Sequence, residues 1–216
     1  MDSQFWINAW NEGRTGFHQA DINDKLLQYF PQLRPKENQK VLVPLCGKTK
    51  DLLWLRDQNL DVHGVELHED AVKAFFIENQ LSNVKVENNH HFTSYTSEGV
   101  RISTGDFFKL DAESNYDFVY DRASLVALPF SMRKSYSEVI NRSLKKGGKC
   151  LLIVYEYDQT KMDGPPFSID DAEILRLYEE AFTIEHLESQ RPLKEGPRLM
   201  TLDESLKQKV YVLEKK

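Results

Sequence analysis

Apolar positions recur along the chain with two periods, and the switch between them marks the elements. Short apolar runs at 41–43, 62–65, 100–103, 118–120 and 151–155 fit buried strands. Residues 51–58, 69–79, 133–144 and 170–180 carry apolar positions at helical spacing, with Ala71, Ala74 and Phe75 on one side of the second. The pair Gly147 and Gly148 is expected to end the third of these helices, and Asp170 or Ser168 to cap the fourth. Two N-terminal stretches, 5–12 and 22–30, also have helical spacing. Residues 182–187 and 210–213 close the chain as two strands with no helix expected between them.

Strand–helix alternation predicts an α/β fold, a single doubly wound, mostly parallel sheet of seven strands. Parallel neighbours need a long crossover, whereas the two terminal strands can pair directly, so the last strand is expected to be antiparallel. The pattern predicts a single domain over 1–216, with 1–38 as an N-terminal helical extension and 39–216 as a Rossmann-like core. A helix and loop ahead of the first strand can fold over the strand ends as a lid, which gives Trp10, Phe17 and His18 a place near a ligand. A packing role for Phe5, Trp6 and Trp10 is the plainer alternative, and His18 either orients a substrate or caps the lid.

The most informative stretch is KVLVPLCGKTKDLLWL at 40–55, a strand, a turn and a helix. In open α/β sheets, ligands bind at the carboxyl ends of the strands. Gly47 stands alone there, without the three glycines that bring a backbone close to a diphosphate. A phosphate-free adenosyl group carrying an amino acid suits such a turn better than a dinucleotide. Glu66 ends the second strand about twenty residues further on, where an acid accepts from both ribose hydroxyls. The alternative is a solvated strand-end carboxylate. Asp106 and Phe107 follow Gly105 after the third strand, where an acid and an aromatic ring can meet the edge and face of adenine.

Composition narrows the class further. The chain has 216 residues and a formal net charge of -6, which gives no general affinity for nucleic acid or anionic membrane. Its two cysteines, Cys46 and Cys150, lie in or beside core strands and point to a reducing compartment. The first residues lack the apolar stretch of a signal peptide, and no run approaches the length of a membrane span, so a cytoplasmic protein is expected. Cys46 reads as a small packing residue. His90 and His91 lack the spaced partners of a metal site, and none is expected.

Taken together, VLVPLCGKTKDLLWL, VHGVELHEDAV, YDFVYDRASLVAL and YDQTKMDGPPF, with FW and EGRTGFHQ near the start, resemble the thiopurine S-methyltransferase family over nearly the whole chain. The resemblance implies a class I methyltransferase fold, S-adenosyl-L-methionine as donor, and transfer to the sulfur of aromatic or heterocyclic thiols. It also implies cofactor contacts at Trp10, Leu45, Glu66 and Arg122, packing of Phe107 along adenine, and a place for Phe17 near the substrate. The match is weaker after Arg191, in the segment expected on the substrate side.

Methyl transfer from a sulfonium needs positioning more than proton transfer, because the donor is already activated. An aromatic thiol supplies its own thiolate. No general base stands out, and Arg122, after Asp121 at the end of the fourth strand, is the expected catalytic group, as a nearby positive charge. An ion pair with Asp121 or Glu66 is its structural alternative. The expected partner is a small-molecule thiol or chalcogen compound, and the expected state a monomer. Selenium or tellurium compounds and other small soft nucleophiles are the alternative acceptors on the same fold. A nicotinamide-dependent oxidoreductase is disfavoured by the missing glycines, and a non-catalytic cofactor-binding module by the presence of Glu66 and Arg122.

Overall fold

The computed structural model describes residues 3–111, 115–192 and 195–216. The chain falls into two compact units, Met1–Asp111 and Ala112–Lys216. The first contains α1 (Ser3–Asn11), α2 (Asp24–Tyr29), β1 (Lys40–Pro44), α3 (Asp51–Asp57), β2 (Asp61–Glu66), α4 (Glu69–Glu78), β3 (Lys85–Asn88), β4 (Thr93–Ser97) and β5 (Val100–Thr104). Its strands run in the order β3-β4-β5-β2-β1. β1, β2 and β5 form a parallel triplet, while β3 and β4 are added antiparallel. Val41, Leu42, Val62, Val65 and Ile102 are completely buried. At about 1.5–3 kcal/mol for each fully buried large aliphatic side chain, these positions fix the register of the triplet.

The caps also follow from side-chain chemistry. The Asn23 side chain accepts from the amides of Lys25 and Leu26, which starts α2. His68 accepts from the Ala71 amide through Nδ1 at 3.2 Å and starts α4.

The second unit contains β6 (Tyr116–Arg122), α5 (Phe130–Ser143), β7 (Leu144–Glu156), α6 (Asp171–Tyr178), β8 (Phe182–Gln190), α7 (Pro197–Met200) and β9 (Lys207–Lys215). Its strand order is β6-β7-β9-β8, with β6 and β7 parallel. β9 is antiparallel to both β7 and β8, as expected for the last strand.

Several expectations are corrected. The described residues form nine strands instead of seven. The two additional strands, β3 and β4, read KVEN and TSYTS, too polar to show an apolar run, and β3 is exposed throughout. Gly147 and Gly148 do not end a helix: α5 stops at Ser143 and β7 begins at once. They instead belong to an irregularity in β7, where pairing moves from Tyr116↔Leu144 to Phe118↔Lys149. A Cβ on Gly148 would lie 2.8 Å from the Lys145 carbonyl oxygen.

A short helix, α7, does lie between β8 and β9. It is too short to serve as a crossover, so the antiparallel pairing stands. Of the two candidate caps for α6, Asp170 accepts the Glu173 amide at 2.8 Å. Ser168 is engaged elsewhere, with its hydroxyl donating to the Tyr157 carbonyl at 2.7 Å.

Candidate functional site

In the first unit, the site is built where β1 ends. Leu45 has φ of 45° and Gly47 φ of 53°, so two residues in three adopt left-handed backbone. For leucine this conformation costs about 1–2 kcal/mol. The turn is held by neighbouring strand ends. The Cys46 amide donates to the Val65 carbonyl at 3.0 Å, and the Gly47 amide donates to Glu66 Oε2 at 2.7 Å. Cys46 is buried, and burial followed by the charge of Glu66 raises its thiol well above the ordinary value. A neutral packing thiol is what this produces. Gly64 makes room for it, since a Cβ there would stand 2.7 Å from the sulfur.

Glu66 is the centre of this arrangement. It is 6% exposed, and its second oxygen, Oε1, accepts the His68 amide at 2.9 Å. Burial raises its pKa, while the amide hydrogen bonds from His68, Gly47 and Leu67 oppose the rise. A carboxylate offers about four acceptor directions, so these amides orient both oxygens without exhausting them. The Glu66 carbonyl accepts the Gly105 amide at 2.9 Å, which ties the loop after β5 to the end of β2.

The next two residues of that loop were singled out by sequence. Asp106 accepts the Phe108 amide at 3.0 Å and caps a short 3-10 turn, Phe107–Lys109. Phe107 is buried, and Phe108 beside it is half-buried.

The N-terminal segment reaches the same turn. The Trp10 indole lies over Gly47, where an added Cβ would meet Cζ2 at 3.0 Å. Phe17 stands edge-on to Trp10 at 5.3 Å and to Trp6 at 5.6 Å. Trp6 therefore packs among the aromatic residues of its own segment. His18 is half-buried, and its amide donates to the Thr15 carbonyl at 2.8 Å.

Sequence reasoning missed His68, whose ring stacks on Trp10 at 5.9 Å and 21°. Its Nδ1 accepts from Ala71 while Nε2 lies 3.1 Å from Asn11 Oδ1, a pair of contacts that assigns the Nε2–H tautomer. Position alone could have flagged it, two residues beyond Glu66.

This donor and acceptor set fits an adenosyl group. It presents a buried carboxylate for a diol, a turn whose glycine has left-handed backbone and leaves a Cβ only a tight 3.0 Å from Trp10, and aromatic rings beside both. Trp10, Phe17, Gly47 and Glu66 are brought together directly, and Asp106 is tethered to them through Gly105.

In the second unit, Arg122 ends β6 and is followed by Ala123 at φ of 62°, another left-handed residue at a strand end. Its guanidinium Nη2 lies 4.0 Å from Glu195 Oε2, with both side chains under a tenth exposed. Glu195 lies in the segment after Arg191 and was not singled out by sequence.

Asp121, immediately before Arg122, is 1% exposed and accepts from Tyr136 Oη at 2.7 Å and from the Leu125 amide at 3.2 Å. Burial pushes its carboxyl up to about 6 against those hydrogen bonds. Among the described residues no group of side chains could hold a metal ion, and no helix is long and apolar enough to cross a membrane.

Comparison with known proteins gives a consistent result. A family model described as thiopurine S-methyltransferase matches residues 1–216. A thiopurine S-methyltransferase of Vibrio cholerae serotype O1 is 45% identical over 177 residues, covering 82% of this chain and 81% of its own. One from Nitrosospira multiformis is 42% identical over 200 residues, covering 92% and 90%. Among solved structures, the Burkholderia thailandensis 1,6-didemethyltoxoflavin-N1-methyltransferase with bound 1,6-didemethyltoxoflavin and S-adenosylhomocysteine superposes with a TM-score of 0.65. The identity is 19%, with 99% of this chain and 87% of that one covered. That likeness shows the fold, the α/β fold of S-adenosylmethionine-dependent methyltransferases.

Proposed function

This chain belongs to the thiopurine S-methyltransferase family, and from that premise we propose that it methylates the sulfur of aromatic and heterocyclic thiols, thiopurines among them, with S-adenosyl-L-methionine as donor. The observation that carries the reading is the Glu66 carboxylate, buried at the end of β2 and oriented by the amides of Gly47 and His68. When bound, the donor supplies an activated methyl group on a sulfonium.

The chain's own residues hold and shield. Glu66 accepts from the ribose hydroxyls, with Gly47 and Leu45 shaping the turn beside them. Asp106 meets the adenine edge, and Phe107 supports its face from within the core. Trp10 covers the turn. Phe17 and His18 serve the acceptor, in a lid formed by 1–38 over a methyltransferase core of 39–216. A lid of this kind excludes water from a charged donor. Arg122 supplies the positive charge that favours the thiolate or holds the donor carboxylate, and no general base is required. The protein acts in the cytoplasm as a monomer.

Calorimetric titration tests the donor half of the proposal. S-adenosylhomocysteine should bind and NAD should not; the reverse would overturn it.

A further inference from the structure

Four polar side chains are buried together at the end of the sheet in the second unit. Arg122 is the register partner of Ile153 on β7, and Tyr155 is the partner of Gln208 on β9. Ile153 and Tyr155 are two residues apart and share a face, so Arg122, Tyr155 and Gln208 project from the same side. Glu195 closes over them. Gln208 Nε2 donates to Glu195 Oε1 at 2.8 Å, and Gln208 itself is 2% exposed. Tyr155, itself 4% exposed, also bonds to Glu195 through its hydroxyl; burial and that carboxylate hold it protonated, so it is the donor. Glu195 Oε2 then faces Arg122 Nη2 at 4.0 Å.

At 4.0 Å the Arg122–Glu195 contact is an ion pair and not a hydrogen bond. Glu195 therefore acts on Arg122 as a fixed charge, and what fixes it is the pair of donors behind it. The two donors satisfy one side of the buried carboxylate and leave Oε2 turned to Arg122. Arg122 ends β6, and strand ends are where ligands bind in open α/β sheets.

We infer that Glu195 is a positioning residue: braced by Gln208 and Tyr155, it sets the direction in which Arg122 presents its guanidinium to the reacting groups. This inference rests on the role proposed above for Arg122. It gives the segment after Arg191 a function, because that segment supplies the carboxylate that aims the arginine.

The test is a double-mutant cycle with Glu195→Gln and Arg122→Ala. It is read by calorimetric affinity for S-adenosylhomocysteine, by kcat/KM for an aromatic thiol, and by thermal midpoint. Glu195→Gln removes the charge and keeps an acceptor for Gln208. It should lower affinity or kcat/KM about tenfold, in whichever parameter Arg122→Ala also lowers. The same substitution should have almost no further effect in the Arg122→Ala background.

Equal losses in both backgrounds, or a lower midpoint with unchanged affinity and kinetics, would overturn the positioning role. If Glu195→Gln does not fold, Glu195→Asp carries the same cycle: it keeps the charge but withdraws it from Arg122, so a smaller coupling of the same sign is expected, and equal losses in both backgrounds would again overturn the role. Wild-type behaviour of Arg122→Ala would instead overturn the underlying assignment of Arg122. An impaired Arg122→Ala beside a wild-type Glu195→Gln would overturn only the inference made here.

Discussion

The amide of Gly47 donates to Glu66 Oε2 at 2.7 Å, so the turn after β1 and the end of β2 are locked to one another through a single carboxylate. The same residue therefore shapes the turn and presents acceptors above it.

Replacing Glu66 should affect both roles. Glu66→Ala is expected to weaken S-adenosylhomocysteine binding by about 1–3 kcal/mol, the size of charge-assisted hydrogen bonds. Glu66→Gln keeps one acceptor but turns an N–H₂ toward a backbone amide, and should fall between the alanine variant and wild type. Isothermal calorimetry on the folded variants measures this directly, and undiminished affinity in both would remove Glu66 from the donor site.

The placement of Trp10 over Gly47 makes a separate prediction about motion. Contacts of Trp10 with His68 and Phe17 join the segment after α1 to the turn that would hold the donor. Amide hydrogen exchange over residues 10–20 should slow when S-adenosylhomocysteine is added, because a local opening is suppressed. Identical exchange with and without it would mean that the segment is packing and not a lid.

Asp121 predicts a pH dependence of stability. Its carboxyl is pushed up to about 6 by burial, above the ordinary value of 3.8. The native state thus keeps a proton that the unfolded chain has lost. The stability gained from that proton is fully present below about 4 and is lost as pH rises through about 6. Asp121→Asn removes this slope. The stability of wild type relative to the asparagine variant should therefore fall by roughly 2–3 kcal/mol between pH 4 and pH 7.5. Urea unfolding across that range checks it, and a constant difference would show that Asp121 titrates at its ordinary pKa.

The sequence reading located β1, β2, β5, β6 and β7 because their apolar runs are buried and bounded by turn residues. Glu66 was legible from its distance to the turn, a spacing imposed by one helical crossover. β3 and β4 were not legible, since a polar edge ribbon carries no apolar period.

Leu45 and Ala123 gave no signal either, because neither residue type favours left-handed backbone and only surrounding hydrogen bonds impose it. Glu195 was hidden for a different reason. Its partners Arg122, Tyr155 and Gln208 come from three separate strands, and only register brings them to one face. Phe107 is buried, with the half-buried Phe108 at its side.

The most direct test of the central claim is mass spectrometry of an aromatic thiol, a thiopurine first, incubated with the protein and S-adenosylmethionine carrying an isotopically labelled methyl group. One labelled methyl group is expected on the sulfur of the acceptor, with one equivalent of S-adenosylhomocysteine for each methyl transferred. A protein that binds S-adenosylhomocysteine but leaves every aromatic thiol unlabelled would contradict it.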